Sequence, residues 1–157
     1  MFKSNTRWRD KLEKAQEAKL VTMPPKMVPR FGKGKMLIPT PMLVDELIRS
    51  VRKAKLITTG QIRAKLARDF AADVTCPLTT GIFMRIAAEA AEEDFANGRK
   101  RITPYWRVVK DDGALNPKFP GGEVQQAKRL QAEGVATARR GNRLVVKDFE
   151  KYLAAKK

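Results

Sequence analysis

Few side chains in this sequence can do covalent chemistry. There is one cysteine, Cys76, and no histidine. Lacking histidine, the chain has neither the commonest metal ligand nor the commonest general base. A Ser/His or Cys/His nucleophile pair is excluded, and no zinc site is expected. Cys76 stands before Pro77, at the head of an expected helix, where the helix dipole favours a thiolate. It fits better a small buried residue, since free cysteine is among the most buried types. Further on, Tyr105 and Trp106 lie between Pro104 and Arg107. A phenol ionises near pKa ~10 and is a poor nucleophile toward carbon, and an indole offers only an N–H donor. No activated nucleophile remains at this site, and we expect no catalytic residue, no cofactor and no metal.

The chemistry that remains is electrostatic. Lys and Arg number 33 against 17 Asp and Glu, a formal net charge of +16 on 157 residues. Such an excess points to a polyanion, and in a chain this small to nucleic acid. No stretch approaches the run of about 20 apolar residues that a membrane helix needs. The N-terminus lacks the apolar core of a signal peptide, so a cytoplasmic setting is expected. A lone cysteine forms no internal disulfide. A monomer is expected.

The positioning elements read as mainly α with a little β. Residues 1–37 are expected to be a basic arm, with a short helix over 6–19 and then the irregular stretch MPPKMVPRFGKGKM. The first 40 residues hold 10 Lys and Arg against 3 Asp and Glu. Thr40 and Pro41 suit an N-cap and first helical position, and apolar spacing predicts a helix over 41–53. Thr58 and Gln61 make a capping box opening a helix over 59–70. A third helix is predicted over 79–96, with Ile82, Phe83, Ile86, Ala87, Ala90 and Ala91 as its apolar stripe and Asn97-Gly98 as its stop. Its acidic end, with Glu89, Glu92, Glu93 and Asp94, is unsuited to phosphate. Trp106, Val108 and Val109 suit a strand, and Asp112-Gly113 a tight turn. A fourth helix spans 123–133. Residues 135–157 read as an extension, with a hairpin turning at Gly141-Asn142 and a last helical turn around Phe149–Leu153. Helix, helix, helix, then wing is the order of a winged helix-turn-helix.

Three stretches carry a more specific resemblance. PTPMLVDELIRSVRKAKLITTGQI, ITPYWRVVKDDGAL and FPGGEVQQAKRLQAEG follow one another at suitable separations. Together, over residues 38–134, they resemble the C-terminal domain of the alkylguanine-DNA (methylated-DNA-protein-cysteine) alkyltransferases. In that family PCHR supplies the alkyl-accepting cysteine and its histidine. Here the motif reads Pro104-Tyr105-Trp106-Arg107, so the acceptor position is Tyr105 and the histidine position Trp106. The loss of the cysteine is similar to the non-catalytic alkyltransferase-like branch, which binds alkylated DNA, everts the damaged base and hands it to nucleotide excision repair. The histidine is also lost here, unlike in most of that branch.

The resemblance implies double-stranded, alkylated DNA as partner, with nucleotide excision repair proteins beyond it. It implies a lesion site at Tyr105, Trp106, Thr59 and Glu133. Thr59 takes the place of a family tyrosine. The aromatics fit either stacking on an everted base or plain core packing. The resemblance also places Thr79, Thr80, Gly81 and Arg85 in the minor groove, and Arg107, Lys110, Lys118 and Phe119 among the DNA contacts. Two alternatives stay open. One is a general winged-helix nucleoid or regulatory protein that reads no lesion. The other is an unorthodox alkyltransferase using Cys76.

Overall fold

The structure is a computed structural model and describes residues 7–154. The chain opens with α1 (Trp8–Glu13), β1 (Lys19–Thr22), a 3₁₀ turn and the single helical turn α2 (Val28–Phe31), then β2 (Lys35–Ile38). The central elements are α3 (Pro41–Arg49), β3 (Ile57–Thr58), α4 (Thr59–Asp69), β4 (Val74–Thr75) and α5 (Pro77–Ala96). A 3₁₀ turn at Tyr105–Arg107 leads into β5 (Val108–Val109) and then α6 (Gly122–Ala132). The hairpin β6 (Thr137–Arg140) and β7 (Arg143–Val146) and a 3₁₀ turn at Phe149–Tyr152 complete it. The fold is mainly α with small β, as expected, and α4 and α5 are its helix-turn-helix pair. No helix is long and apolar enough to cross a membrane, among the described residues.

Capping within a few residues sets the central helices. Thr40 Oγ1 accepts the N–H of Leu43 at 3.2 Å, and Pro41 occupies the first turn. At α4 the capping box closes both ways. Thr58 Oγ1 accepts from the Gln61 N–H at 3.1 Å, and the Gln61 side chain accepts from the Thr58 N–H at 3.0 Å. Such caps each contribute about 1 kcal/mol. Gly98 at the end of α5 and Gly134 at the end of α6 have positive φ, where a side chain is strained. Val44 and Ile48 of α3, Ile62 and Leu66 of α4, Met84 and Ala87 of α5 and Leu130 of α6 meet in one core.

Residues 7–37 are not an arm. Within the described part, the expected helix shortens to Trp8–Glu13, and Thr6 lies outside the described residues. Leu12 is fully buried in the main core. The stretch expected to be irregular contributes β2 and a turn of helix. β1 pairs antiparallel with β2, and β2 pairs parallel with β4, Met36 against Val74. Met23, Met36 and Cys76 form a second small core beneath this sheet. The physical reason is pairing over distance: β2 is short and exposed until β4, 38 residues on, supplies its partner.

The N-terminal segment thereby holds both ends of α5. At the start, the Cys76 N–H donates to the Leu37 carbonyl at 2.9 Å. Near the other end, the Trp8 and Arg9 N–H groups donate to Glu93 at 3.1 and 3.0 Å, and Arg9 pairs with Asp94. The acidic end of α5 is thus engaged internally. Glu93 and Asp94 take the first turn of α1, and Glu92 takes Arg129 and Tyr105.

Candidate nucleic-acid interface

The face that α5 turns outward differs from the one expected. At 100° per residue, Thr80, Met84, Ala87 and Ala91 share one side of the helix, and all are buried. Ile82 lies nearly opposite Met84 and is 51% exposed; Leu78 is 68% exposed. Ile82, expected in the core stripe, therefore stands outside. Small side chains fill the inner stripe because α5 packs closely on α1 and α3. Thr80, expected at the groove, points inward, and its hydroxyl donates to the Cys76 carbonyl at 2.6 Å. Thr79 is half-buried. Gly81 and Arg85 do face outward, with open space where a Gly81 side chain would stand. Leu78, Gly81, Ile82 and Arg85 thus form one exposed stripe at i, i+3, i+4, i+7. Sequence reasoning missed Leu78 and misplaced Ile82. The signal available was that Thr80, Met84, Ala87 and Ala91 make a consistent inner face of their own.

The residues of the PYWR stretch form a 3₁₀ turn, where a strand was expected for Trp106. The side-chain amide of Gln126, fully buried, pins this turn by donating to the carbonyls of Trp106 at 3.1 Å and Val108 at 2.8 Å. Tyr105 is buried, edge-to-face against Trp106 and Phe119 with ring centres 5.3 Å apart in both pairs. Its hydroxyl donates to Glu92 at 2.5 Å. Burial, and then the Glu92 carboxylate beside it, push the phenol well above its ordinary pKa. Tyr105 is thus a protonated core residue rather than a lesion contact. Phe119, expected on DNA, is likewise interior.

Trp106 is 8% exposed. Its indole N–H donates to Glu133 at 2.9 Å, and the Arg129 guanidinium sits 4.8 Å from its ring centre. Glu133, expected at the lesion site with no histidine to orient, gathers several donors. Arg107 reaches it through Nε at 3.0 Å and through a terminal nitrogen at 2.6 Å, and the Ala54 N–H reaches it at 3.0 Å. Burial alone would raise the Glu133 pKa, but Arg107, Ala54 and Trp106 together hold it below the ordinary value. Arg107 donates its remaining terminal nitrogen to the Val51 carbonyl at 2.6 Å. Arg107 and Glu133 are a structural clamp, and Arg107 has little left for a phosphate. Thr59 is also displaced from the expected site. Its hydroxyl points at Asp111, which accepts the Gly60 N–H at 2.8 Å. Lys118 is exposed and without an acidic partner among the described residues, and Lys110 is half-buried.

Beside Trp106 opens a pocket of about 550 Å³. Five cations line it: Arg49, Lys100, Arg101, Arg107 and Arg129. Its aromatic wall is Trp106 and Phe95, the latter 53% exposed. Of the expected lesion residues only Trp106 belongs to it. Pro104 and Arg107 come with it from the same turn, and Arg49, Phe95, Lys100, Arg101, Ile102 and Arg129 come from the ends of α3 and α5, the loop after α5 and the last turn of α6, which no sequence motif joins. Cys76 is buried in the second small core, and it does not line the pocket.

A crystal structure of S. pombe Atl1 in complex with damaged DNA containing O6-carboxymethylguanine matches at 18% identity and a TM-score of 0.51, covering 74% of this chain and 94% of that one. The chain shares the fold of S. pombe Atl1. A second crystal structure, of S. pombe ATL in complex with DNA, matches at 17% identity with a TM-score of 0.48 and the same coverage. No family model matches the sequence, and no curated protein does.

Proposed function

We infer that this protein binds double-stranded DNA without covalent chemistry, recognises alkylated guanine in it and supports its repair. The observation that carries the reading is the exposed stripe Leu78–Gly81–Ile82–Arg85 on α5, with the aromatic pocket of Phe95 and Trp106 toward the other end of the same helix. A helix face of small and apolar side chains suits the minor groove, where apolar wedges part base steps. The pocket has room for an everted base, and Phe95 offers a ring to stack on. The fold shared with Atl1, whose structure holds O6-carboxymethylguanine DNA, and the charge of +16 support the same partner. Non-enzymatic action is supported by Tyr105, buried with its hydroxyl on Glu92, and by Cys76, buried in the second small core. The reading extends to a monomer at work in the cytoplasm, handing its site to nucleotide excision repair proteins.

The test is fluorescence anisotropy with matched duplexes, one carrying O6-methylguanine. We expect tighter binding to the methylated duplex. Ile82→Asp sets a carboxylate against the phosphates, a like-charge contact costing several kcal/mol, and should weaken both duplexes by about tenfold or more without lowering the melting temperature. Equal affinity for the two duplexes would leave a general winged-helix DNA-binding protein that reads no lesion. Full affinity in Ile82→Asp would remove α5 from the interface.

A further inference from the structure

The tip of the β6–β7 hairpin is cationic and carries no carboxylate of its own. No Asp or Glu lies between Glu133 and Asp148, a stretch that holds Arg139, Arg140, Arg143 and Lys147. Burial falls away toward the tip: Val146 is buried at the base, whereas Arg139 and Arg140 are exposed. The base is anchored. The Val146 N–H donates to the Gly113 carbonyl at 2.9 Å, and the Leu115 N–H to the Leu144 carbonyl at 3.0 Å. Arg140 and Arg143 stand directly opposite one another across the two strands. Like charges so placed destabilise a strand pair. Asp112 takes both, at 2.8 and 3.7 Å, and its one charge offsets only one of the two. Arg139 has no acidic partner among the described residues.

A run of contacts leads from this tip to the start of α5. Asp112 holds the tip. Its neighbour Asp111 accepts the Gly60 N–H, in the first turn of α4, at 2.8 Å and lies 3.9 Å from Arg63. The Arg63 carbonyl accepts from the Thr75 hydroxyl at 2.8 Å, just before Pro77 opens α5. The exposed Leu78 and Ile82 follow at once. Glu92, Glu93 and Asp94 lie toward the other end of that helix, about 24 Å along it at 1.5 Å per residue. Along the run, Arg63, Lys110, Arg139, Arg140 and Arg143 stand against Asp111 and Asp112, a surplus of three positive charges.

We propose that the hairpin tip is a second DNA-contact element, in which Arg139 and Arg140 hold backbone phosphates beside the groove that α5 enters. The proposal rests on the DNA-binding reading above and adds a surface to it. Guanidinium groups pair with phosphate through charge-assisted, often bidentate hydrogen bonds. A phosphate at the tip also supplies the negative charge that the opposed Arg140 and Arg143 lack. Contacts of this kind set position and affinity and carry no base information. Because the hairpin is anchored at its base, little of it has to be ordered on binding.

The experiment follows affinity by anisotropy against salt concentration, for an undamaged duplex and for one with O6-methylguanine. Arg139→Ala/Arg140→Ala is compared with the unaltered protein and with Lys14→Ala/Lys128→Ala, which removes the same charge from exposed positions outside the hairpin. Each phosphate contact contributes a slope of about −0.9 in log affinity against log salt, so the hairpin variant should be shallower by about 1.8. The control pair should keep the parent slope, and the hairpin variant should keep the parent ratio between the two duplexes. With the Arg140–Arg143 opposition relieved, the hairpin variant should melt no lower than the parent, which separates lost contact from lost fold. An unchanged slope in the hairpin variant overturns the proposal. So does an equal shallowing in the control pair, which marks net charge alone, or an altered ratio, which makes the tip a lesion reader. If the hairpin variant melts lower, Arg139→Gln/Arg140→Gln, which keeps part of each stem, takes its place, and a parental slope there overturns the proposal. Parental binding with an unmoved slope removes this inference alone. An unaltered protein that binds neither duplex removes the DNA-binding reading with it.

Discussion

Replacing Glu133 by glutamine should unsettle the domain far more than a conservative, isosteric change suggests. The carboxylate divides its donors between two oxygens. One accepts from the Ala54 N–H and Arg107 Nε, the other from Trp106 Nε1 and an Arg107 terminal nitrogen. Whichever oxygen becomes an NH2 group then faces two donors. Arg107, with a side chain only 13% exposed, loses its counter-charge. Breaking a buried pair from one side costs about 3–5 kcal/mol. Arg107 keeps the Val51 carbonyl and some solvent, so the lower end, about 3 kcal/mol, is expected. In a domain of this size that is a fall of roughly 6–12 °C in Tm. Urea titration with an unchanged m-value, alongside calorimetry, measures it. The pH dependence adds a sign. The Glu133 pKa is depressed in the folded state, so its contribution is complete above the unfolded-state pKa and is lost as pH falls through the folded one. The gap between parent and Glu133→Gln should therefore narrow on acidification. A loss under about 1 kcal/mol, the size for a solvent-screened pair, or a gap that widens in acid, would refute the clamp.

Two further outcomes separate the structure from the expectations it replaced. Leu12→Ala should destabilise the domain by about 2–5 kcal/mol in urea titration, as for other buried leucines; no loss would return the N-terminal segment to the status of an arm. Incubation with O6-methylguanine DNA should add no methyl mass to the protein, and a thiol reagent should modify Cys76 only after unfolding; a stoichiometric adduct on Cys76 would reinstate the alkyltransferase alternative.

The features legible in the sequence were those decided within a few residues. Thr40 before Pro41, and Thr58 with Gln61, announce helix starts because each hydroxyl reaches an N–H three residues on. Gly98 and Gly134 announce helix ends because only their backbone takes positive φ without strain. The missing nucleophile was equally plain, since Tyr105 and Trp106 have no base to activate them whatever surrounds them. The hairpin at Gly141-Asn142 was local too.

What lay beyond reach depended on partners far along the chain. β1 and β2 looked like an irregular basic arm because nothing near them reveals that β4 will pair with β2. Trp8 and Arg9 lie more than 80 residues from the Glu93 that caps them. Ile82 carries the same apolar label as a core residue, and only the way α5 is rotated against α1 and α3 sends it outward while Thr80 turns in. Glu133 seemed idle without a histidine, yet an indole N–H and a guanidinium from a distant turn fill the same oxygens. The pocket is the extreme case. Arg49, Phe95, Lys100, Arg101 and Arg129 share no motif, and packing alone sets them around one space, with carboxylates behind Arg49 and Arg129. Capping and turn chemistry are short-range and are written residue by residue. The direction a helix faces and the company a charge keeps are settled by long-range packing, which no single stretch of the chain encodes.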